Sequence, residues 1–309
     1  MAKDLNHLGR LLIRSDRARL AEPFLRESIP LIKKRYGPHS LELSQGTTVL
    51  GRCFARQGKL GDAIAIYREA IEIDPKHPDA HCDLGHALRL LGRFKEALAE
   101  LRKGHELGSK ESDWNLPSAR WVAECEALVP LESRIPALLS GEVASKDNAE
   151  CLALGRWCYE SKRFAVAARF WGDALTNDPK LGDDRQAGHR YNAACAAALA
   201  VSVGPVATGR PVEPALREPP LDDTAKVKLR SRALGWLKAE LSAWKKVAMT
   251  VGPGNKELVD KTLAHWKEDA DLAGVRELTE LAKIPEAERT DWQALWAEVD
   301  SLLQKVGKP

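Results

Sequence analysis

The stretch that decides the fold is "LGHALRLLGRFKEALAEL", Leu84–Leu101, because the chain contains nearly the same pattern a short distance upstream. The earlier copy, Leu50–Tyr67, reads "LGRCFARQGKLGDAIAIY". Both copies place glycine, large apolar residues and alanine in the same order and at the same spacing. A fixed period between such copies indicates a repeat architecture, in which each unit is a pair of helices joined by a tight turn.

The period resembles that of the tetratricopeptide repeat (TPR). Gly51 and Gly85 have the same sequence separation as Ala63 and Ala97, and it equals the TPR period of about 34 residues. Small residues on both helices of a pair allow the two backbones to approach closely where they cross. Pro75 then ends the second helix. The sequence therefore predicts an all-α fold, a right-handed TPR α-solenoid of stacked helix pairs with a helical C-terminal cap.

The repeat pattern also predicts how the chain is divided. The predicted segments are three TPR units at 2–43, 44–77 and 78–111, a degenerate interrupted repeat at 112–147, a TPR unit plus a further helix pair at 148–250 with a Pro- and Gly-rich insert at about 202–223, and a helical cap at 251–309. Pro130 and Pro136 leave little room for a regular second helix in the degenerate repeat. Two interpretations of the insert stay open, a functional lid or a plain surface insertion.

The first unit has a longer period than the others. Gly9 lies further ahead of Gly51 than Gly51 lies ahead of Gly85, and the link "KKRYGPHSLEL" resembles the longer TPR variant of kinesin light chains. The array begins at about Ala2, with no polar capping element before it, although repeat arrays normally need such caps. We therefore expect that the chain is the C-terminal part of a longer protein, or that its first helix packs on a partner.

A closer resemblance covers residues from about Leu84 to the end. The phrases that carry it are "LRKGHELGSK" at Leu101–Lys110, "GHRYNAACAAALA" at Gly188–Ala200, "DLAGVRE" at Asp271–Glu277 and "PEAERTDWQALWAEVDSLL" at Pro285–Leu303. Together they resemble the TPR-rich C-terminal tails of planctomycete serine/threonine protein kinases. The resemblance implies a bacterial interaction module, or a regulatory or substrate-recruiting tail, with a parent or partner kinase. The chain has no kinase Gly-rich loop, His-Arg-Asp loop or Asp-Phe-Gly motif, so no catalytic residue is carried over.

Net charge and the distribution of apolar residues limit the cellular locations that are possible for the protein. The 309 residues carry a formal net charge of +3, which favours neither a nucleic-acid coat nor a membrane-surface protein. The N-terminus lacks the apolar core of a signal peptide. The most apolar run, Ala193–Val203, is shorter than the roughly 20 residues that span a bilayer. The sequence predicts a soluble cytoplasmic protein whose six cysteines are reduced thiols.

Motifs for catalysis or metal binding are weak. Cys82 and His86 have the spacing of half a metal site, but no second half follows. The pair His105-Glu106 lacks the second histidine of a zinc-protease helix, and there is no Gly-x-Ser-x-Gly motif. A Cys158–His189 dyad is one of many cysteine–histidine pairings that the sequence does not distinguish. We predict a non-enzymatic protein with no cofactor and no metal.

The candidate binding surface is the concave face that the first helices line in TPR proteins. In TPR proteins, certain positions of each repeat point to this concave face. In this chain, basic residues outnumber acidic ones at those positions. The predicted partner-binding residues are Asn6, Arg10, Arg14, Arg52, Arg56, Asp83, His86, Arg89, Arg156 and Tyr159. Arginine grips carboxylates in a two-pronged geometry. We therefore predict a scaffold that binds an extended acidic peptide or a partner helix, with an ordinary solvated face as the alternative.

Two more specific ligands are disfavoured. The TPR clamp for chaperone tails has lysine at repeat position 5 and asparagine at position 9, whereas this chain has Asn6 and Arg10 there. Nucleic-acid binding would use a basic segment at 226–246. Its cations, Lys226, Lys228, Arg230, Arg232, Lys238, Lys245 and Lys246, wrap around the predicted helix instead of forming one stripe. That distribution is more typical of a solubilising surface.

Overall fold

The computed structural model describes residues 2–202, 218, 220–250 and 254–307, which divide into two compact units. The described part of the first unit is residues 2–143, and the second unit holds the rest. All regular elements in these ranges are helices, which confirms the all-α prediction. None of these helices combines the length and apolar character needed to cross a membrane. Most of the predicted insert at about 202–223 lies outside the described residues.

The first unit is a succession of helix pairs. Its α-helices are α1 (Ala2–Arg14), α2 (Ala18–Tyr36), α3 (Leu41–Arg56), α4 (Leu60–Ile73), α5 (Pro78–Leu90), α6 (Phe94–Gly108), α7 (Ser118–Leu128) and α8 (Ile135–Ser140). A 3-10 helix, Val129–Arg134, joins the last two. Each of the first six helices packs on the next, and the first helices of successive pairs also contact one another, α1 with α3 and α3 with α5. These three helices form one surface, which we call the first-helix face.

The second unit begins with the same kind of helix pair and then adds longer helices. Its α-helices are α9 (Asn148–Glu160), α10 (Phe164–Asn177), α11 (His189–Ser202), α12 (Asp223–Met249), α13 (Asn255–Glu268), α14 (Leu278–Leu281) and α15 (Glu286–Val306). Two 3-10 helices, Pro179–Asp183 and Ala270–Val275, lie between them. The second of these packs on α11, and α15 packs on both α12 and α13.

A glycine on the first helix of a pair lies against a large side chain on the second helix. Gly51 in α3 faces Tyr67 in α4, and a methyl group on Gly51 would overlap the ring carbon Cε1 of Tyr67. The same relation, at the same sequence separation, joins Gly9 to Leu25, Gly85 to Leu101 and Gly155 to Trp171. Because Tyr67 is 2% exposed, it has little room to move. The repeated glycine is therefore required by packing.

The turn between the helices of a pair needs a left-handed residue seven positions after that glycine. Gly58 and Gly92 adopt φ of 80° and 78°, which costs glycine little. The equivalent positions elsewhere are Asp16 with φ 58° and Lys162 with φ 61°. A lysine in this region is strained by roughly 1–2 kcal/mol. The left-handed turn is thus retained at Lys162, although this conformation is unfavourable for lysine.

Replacing Lys162 with glycine is expected to stabilise the second unit by about 0.5–1 kcal/mol, because glycine removes the left-handed strain while its greater freedom in the unfolded chain offsets part of the gain. The measurement is thermal unfolding of the full chain followed by circular dichroism. Lys162→Ala is the control, since alanine removes the same side chain but keeps the strain. Equal stabilities of the glycine and alanine variants would contradict the argument.

Tryptophans form the core at the end of the second unit. Trp266, Trp292 and Trp296 are buried, together with Val299, as the helical spacing of the last three predicts. The indole Nε1 of Trp296 donates to the carbonyl oxygen of Val275 at 2.7 Å, so the polar edge of this ring is satisfied. The tryptophan seam therefore fixes α13 and α15 through burial rather than forming an open ligand cage.

Candidate functional site

Four arginines occupy matching positions on two neighbouring first helices. Arg10 and Arg14 lie one turn apart on α1, and Arg52 and Arg56 lie one turn apart on α3. Residues four apart share one face of a helix, and α1 packs on α3. Partial burial and the charge of Arg52 lower the pKa of Arg10, so the two guanidiniums act on each other. We call these four residues the arginine quartet.

Arg52 differs from the rest of the quartet because acidic residues on α5 hold it. Its Nε donates to Oδ2 of Asp83 at 2.5 Å, and its Nη2 lies 3.5 Å from Oδ1 of Asp79. Burial raises the pKa of Asp83 to about 6, and Arg52 only partly opposes this effect. The charge of Arg52 is therefore offset within the protein. Asp83 positions Arg52, and does not meet an incoming ligand as a free acid.

The other three quartet members are exposed residues, although the Arg10 guanidinium is partly buried. Within the described ranges, Arg10, Arg14 and Arg56 have no carboxylate within 4.0 Å. Like charges one turn apart on a helix are mildly destabilising. The α1 and α3 part of the first-helix face thus carries positive charge that the described residues leave without an ion-pair partner.

His86 and Arg89 lie on α5, and their surroundings differ from those of the quartet. The His86 ring packs edge-on against Trp121, with ring centroids 4.5 Å apart. Burial, and then the charge of Arg89, lower the pKa of His86 to about 4, so this ring is neutral at pH 7. Arg89 is 8% exposed. Both residues belong to the packing around α5, and neither offers an exposed positive charge.

Asn6 lies between helices. Its Nδ2 atom is shielded from solvent and has no hydrogen-bond partner among the residues that the structure describes. The same atom is 3.3 Å from the point where a methyl group on Gly46 would lie. Asn6 therefore packs at the contact of α1 with α3, beside the quartet.

The two remaining predicted residues lie in the second unit. Arg156 is exposed on α9. The Tyr159 hydroxyl donates to Oδ2 of Asp271, in the 3-10 helix Ala270–Val275, so part of the chain itself contacts this side chain. Tyr191 on α11 likewise donates to Oδ2 of Asp269 at 2.6 Å. No sequence pattern indicated these pairs, because the partners are separated by 112 and 78 residues.

Four of the seven cations in the basic segment of α12 form ion pairs within the second unit. Arg230 makes a two-pronged contact with Glu288 at 2.7 and 3.0 Å. Further ion pairs join Lys226 to Asp223, Lys238 to Asp291 and Lys245 to Glu298. These contacts join α12 to its own first turn and to α15. They reduce the positive charge that this helix would offer to a phosphate backbone.

Candidate nucleophiles are poorly placed for chemistry. Cys158 is fully buried, and burial raises the pKa of its thiol, which disfavours the thiolate. Ser44 and His77 form a serine–histidine contact, with 2.8 Å between Oγ and Nδ1. The Ser44 hydroxyl, however, donates to the carbonyl oxygen of Ala70 at 2.8 Å and is fully buried. The Ser44–Ala70 hydrogen bond joins α3 to α4, and His77 directly precedes α5, so these contacts hold helices together.

Family models match part of the first unit. A TPR repeat model matches residues 51–92, and a tetratricopeptide repeat model matches residues 78–107. Residues 51–107 therefore carry TPR repeats, which commonly serve as protein–protein interaction scaffolds. The sequence matches no curated protein at a significant level.

Several solved structures are similar in fold. The TPR-like repeats of a Podosopora anserina putative kinesin light chain share 14% identity over 59% of this chain and 96% of that chain, with a TM-score of 0.37. The yeast Sti1 TPR2AB domain, in complex with pHSP90, shares 12% identity over 100% and 99%, with a TM-score of 0.35. Yeast Tom70 shares 12% identity over 97% and 62%, with a TM-score of 0.34. With TM-scores this low, these likenesses carry no argument about ligands.

Proposed function

We propose that the chain is a non-catalytic interaction scaffold and that the first-helix face binds an extended acidic peptide. The observation that carries the proposal is that three exposed residues, Arg10, Arg14 and Arg56, have no carboxylate within 4.0 Å in the described part of the chain. Arg52, held by Asp83 at 2.5 Å, lies one turn before Arg56 on the same helix. Carboxylates of a partner would supply the missing negative charge.

The spacing of the quartet defines the peptide it suits. Packed helices lie roughly 8–10 Å apart, and an extended chain rises about 3.3 Å per residue. A peptide that crosses from α1 to α3 therefore advances about three residues between arginines. The proposed ligand has an acidic side chain at every third position. Guanidiniums grip carboxylates in a two-pronged geometry, so arginine suits this ligand better than lysine.

The test uses two synthetic twelve-residue peptides with a fluorescent label. One has glutamate at every third position, and the other has glutamine there. The glutamate peptide is expected to bind at least about 10-fold more tightly, since several exposed contacts of ~0.2–1 kcal/mol add up. Raising the salt concentration should weaken the glutamate peptide only. Equal binding of both peptides would mean that the quartet is an ordinary solvated surface.

Binding of the glutamate peptide is expected to be tighter at pH 5.5 than at pH 7.5, by about 1.5- to 5-fold. The pKa of Asp83 is raised to about 6 by burial, so acidification through this value protonates the carboxylate and frees charge on Arg52. The other groups that act on Asp83 are Asp79 on its own helix and the buried Tyr67 on α4, whose hydroxyl stays neutral. The peptide carboxylates, with an ordinary pKa near about 4.3, remain charged.

Asp83→Asn is the control for this pH dependence. It removes the titrating group but leaves the exposed histidines of the chain in place. The difference between pH 5.5 and pH 7.5 should disappear in this variant. A difference that persists unchanged would assign the pH dependence to another group.

A second proposal concerns the partner. We propose that the scaffold serves a serine/threonine protein kinase, as a regulatory or substrate-recruiting module. The phrases at Leu101–Lys110, Gly188–Ala200 and Pro285–Leu303, which resemble kinase tails, support it. A module without the kinase nucleotide motifs should not bind nucleotide. Saturable binding of a fluorescent ATP analogue by the chain would contradict the non-catalytic assignment. Peptide binding without ATP binding would support that assignment.

A further inference from the structure

Three potential metal ligands from distant parts of the sequence meet in the second unit. They are Cys195 on α11, Asp269 directly after α13, and Asp271 in the 3-10 helix Ala270–Val275. One ligand atom from each lies within 4.8 Å of the other two, and Sγ of Cys195 is 4.0 Å from Oδ2 of Asp269. We propose that Cys195, Asp269 and Asp271 form a site for one zinc ion, independent of the peptide-binding face.

The charges of this cluster favour a bound cation. Cys195 is 3% exposed and Asp269 has a side chain that is 15% exposed. Within the described ranges, no lysine or arginine nitrogen lies within 4.0 Å of either aspartate carboxylate; Nε2 of His265 lies 3.4 Å from Oδ2 of Asp269. Shielded carboxylates are ordinarily paired with cations or bound to metals. Zinc would provide the compensating charge that lysine and arginine do not.

Two tyrosines orient the carboxylates. The Tyr191 hydroxyl donates to Asp269 at 2.6 Å, and the Tyr159 hydroxyl donates to Asp271. The Tyr191 ring is itself stacked on the buried Trp266, with centroids 5.4 Å apart. Hydrogen bonds of this kind fix metal-binding carboxylates in place. Each aspartate carboxylate thus has a hydrogen-bond partner that limits its movement before any metal binds.

The mixed donor set indicates which metal binds. Thiolate sulfur selects zinc over magnesium or calcium, and carboxylate oxygens complete many zinc sites. Ligand atoms of a tetrahedral zinc with bonds of about 2.0–2.3 Å are roughly 3.3–3.6 Å apart, so the cluster needs to close by about 1 Å. Binding releases the Cys195 thiol proton to solvent as the Zn–S bond forms. Three protein ligands leave a fourth position for water.

Cobalt(II) is the probe for this site, because a cobalt–thiolate bond gives a charge-transfer absorption band in the near ultraviolet. The full-length chain, stripped of metal with a chelator, is titrated with cobalt chloride. We expect one cobalt ion per chain, with the thiolate band, and loss of the band when zinc chloride is added. Cys195→Ser should abolish the band. Tyr159→Phe should keep the band but weaken cobalt binding about 10- to 100-fold.

Cys82→Ser is the matched control, because Cys82 is another buried cysteine, one helical turn from His86. This variant should bind cobalt as the wild-type chain does. If Cys195→Ser loses its helical circular dichroism, Asp271→Asn provides the second test, with weaker binding and a retained band. A wild-type chain without the thiolate band at saturating cobalt, or a band that survives in Cys195→Ser, overturns the proposal.

Discussion

Arg230→Met is expected to destabilise the second unit by about 3 kcal/mol, because removing one partner of a buried ion pair typically costs roughly 3–5 kcal/mol. The Arg230 guanidinium makes two hydrogen bonds to Glu288 at 2.7 and 3.0 Å, and the two side chains are 10% and 21% exposed. Methionine keeps the apolar stem but leaves the Glu288 carboxylate shielded and unpaired. Chemical denaturation followed by circular dichroism, with tryptophan fluorescence as a second probe, measures the change.

The double variant Arg230→Met and Glu288→Leu is expected to recover most of this loss, because it removes both charges together. Lys238→Met is the exposed control on the same pair of helices. Lys238 and Asp291 are 47% and 60% exposed, and such pairs contribute ~0–1 kcal/mol. If Arg230→Met and Lys238→Met cost the same, the Arg230–Glu288 pair has no special part in holding α12 against α15.

Reversing two arginines of the quartet, Arg10→Glu with Arg56→Glu, is expected to weaken binding of the glutamate peptide by roughly 30- to 150-fold. The change replaces attraction by repulsion at two contacts, a loss of ~2–3 kcal/mol. Arg10 and Arg56 are chosen because the described residues place no carboxylate within 4.0 Å of either. Arg52 is left unchanged, since substituting it would also break its ion pair with Asp83.

The control for this reversal is Lys33→Glu with Lys34→Glu, on α2 of the same unit. Both lysines are exposed, and α2 is a second helix, outside the first-helix face. The control changes the net charge by the same amount, so it reports the general electrostatic effect alone, expected to be about threefold or less. If both double variants bind the peptide equally, the assignment of the ligand to the first-helix face is wrong.

The helix pairs could be predicted from the sequence because their causes are local. Gly51 and Tyr67 lie on the two helices of one pair, and the repeat period brings the same contact back further along the chain at Gly85 and Leu101. Glycine does not mark every turn within a pair, since Asp16 and Lys162 adopt the left-handed conformation that Gly58 and Gly92 adopt in other pairs. The helix that carries the basic segment, α12, begins at Asp223 and is 27 residues long.

The sequence by itself determined the helices, their pairing and the positions of the quartet on matching first helices. Those features follow from periodic spacing within one or two repeats, where neighbours in space are also near neighbours along the chain. Only the tertiary structure decided which polar side chains already have partners within the protein. Arg52 is paired with Asp83 from the next repeat, and the Tyr159 hydroxyl donates to Asp271, 112 residues away. It also brought Cys195 to Asp269. The physical reason is that ion pairs, burial and ligand clusters depend on distance in space, which a repeat pattern does not encode.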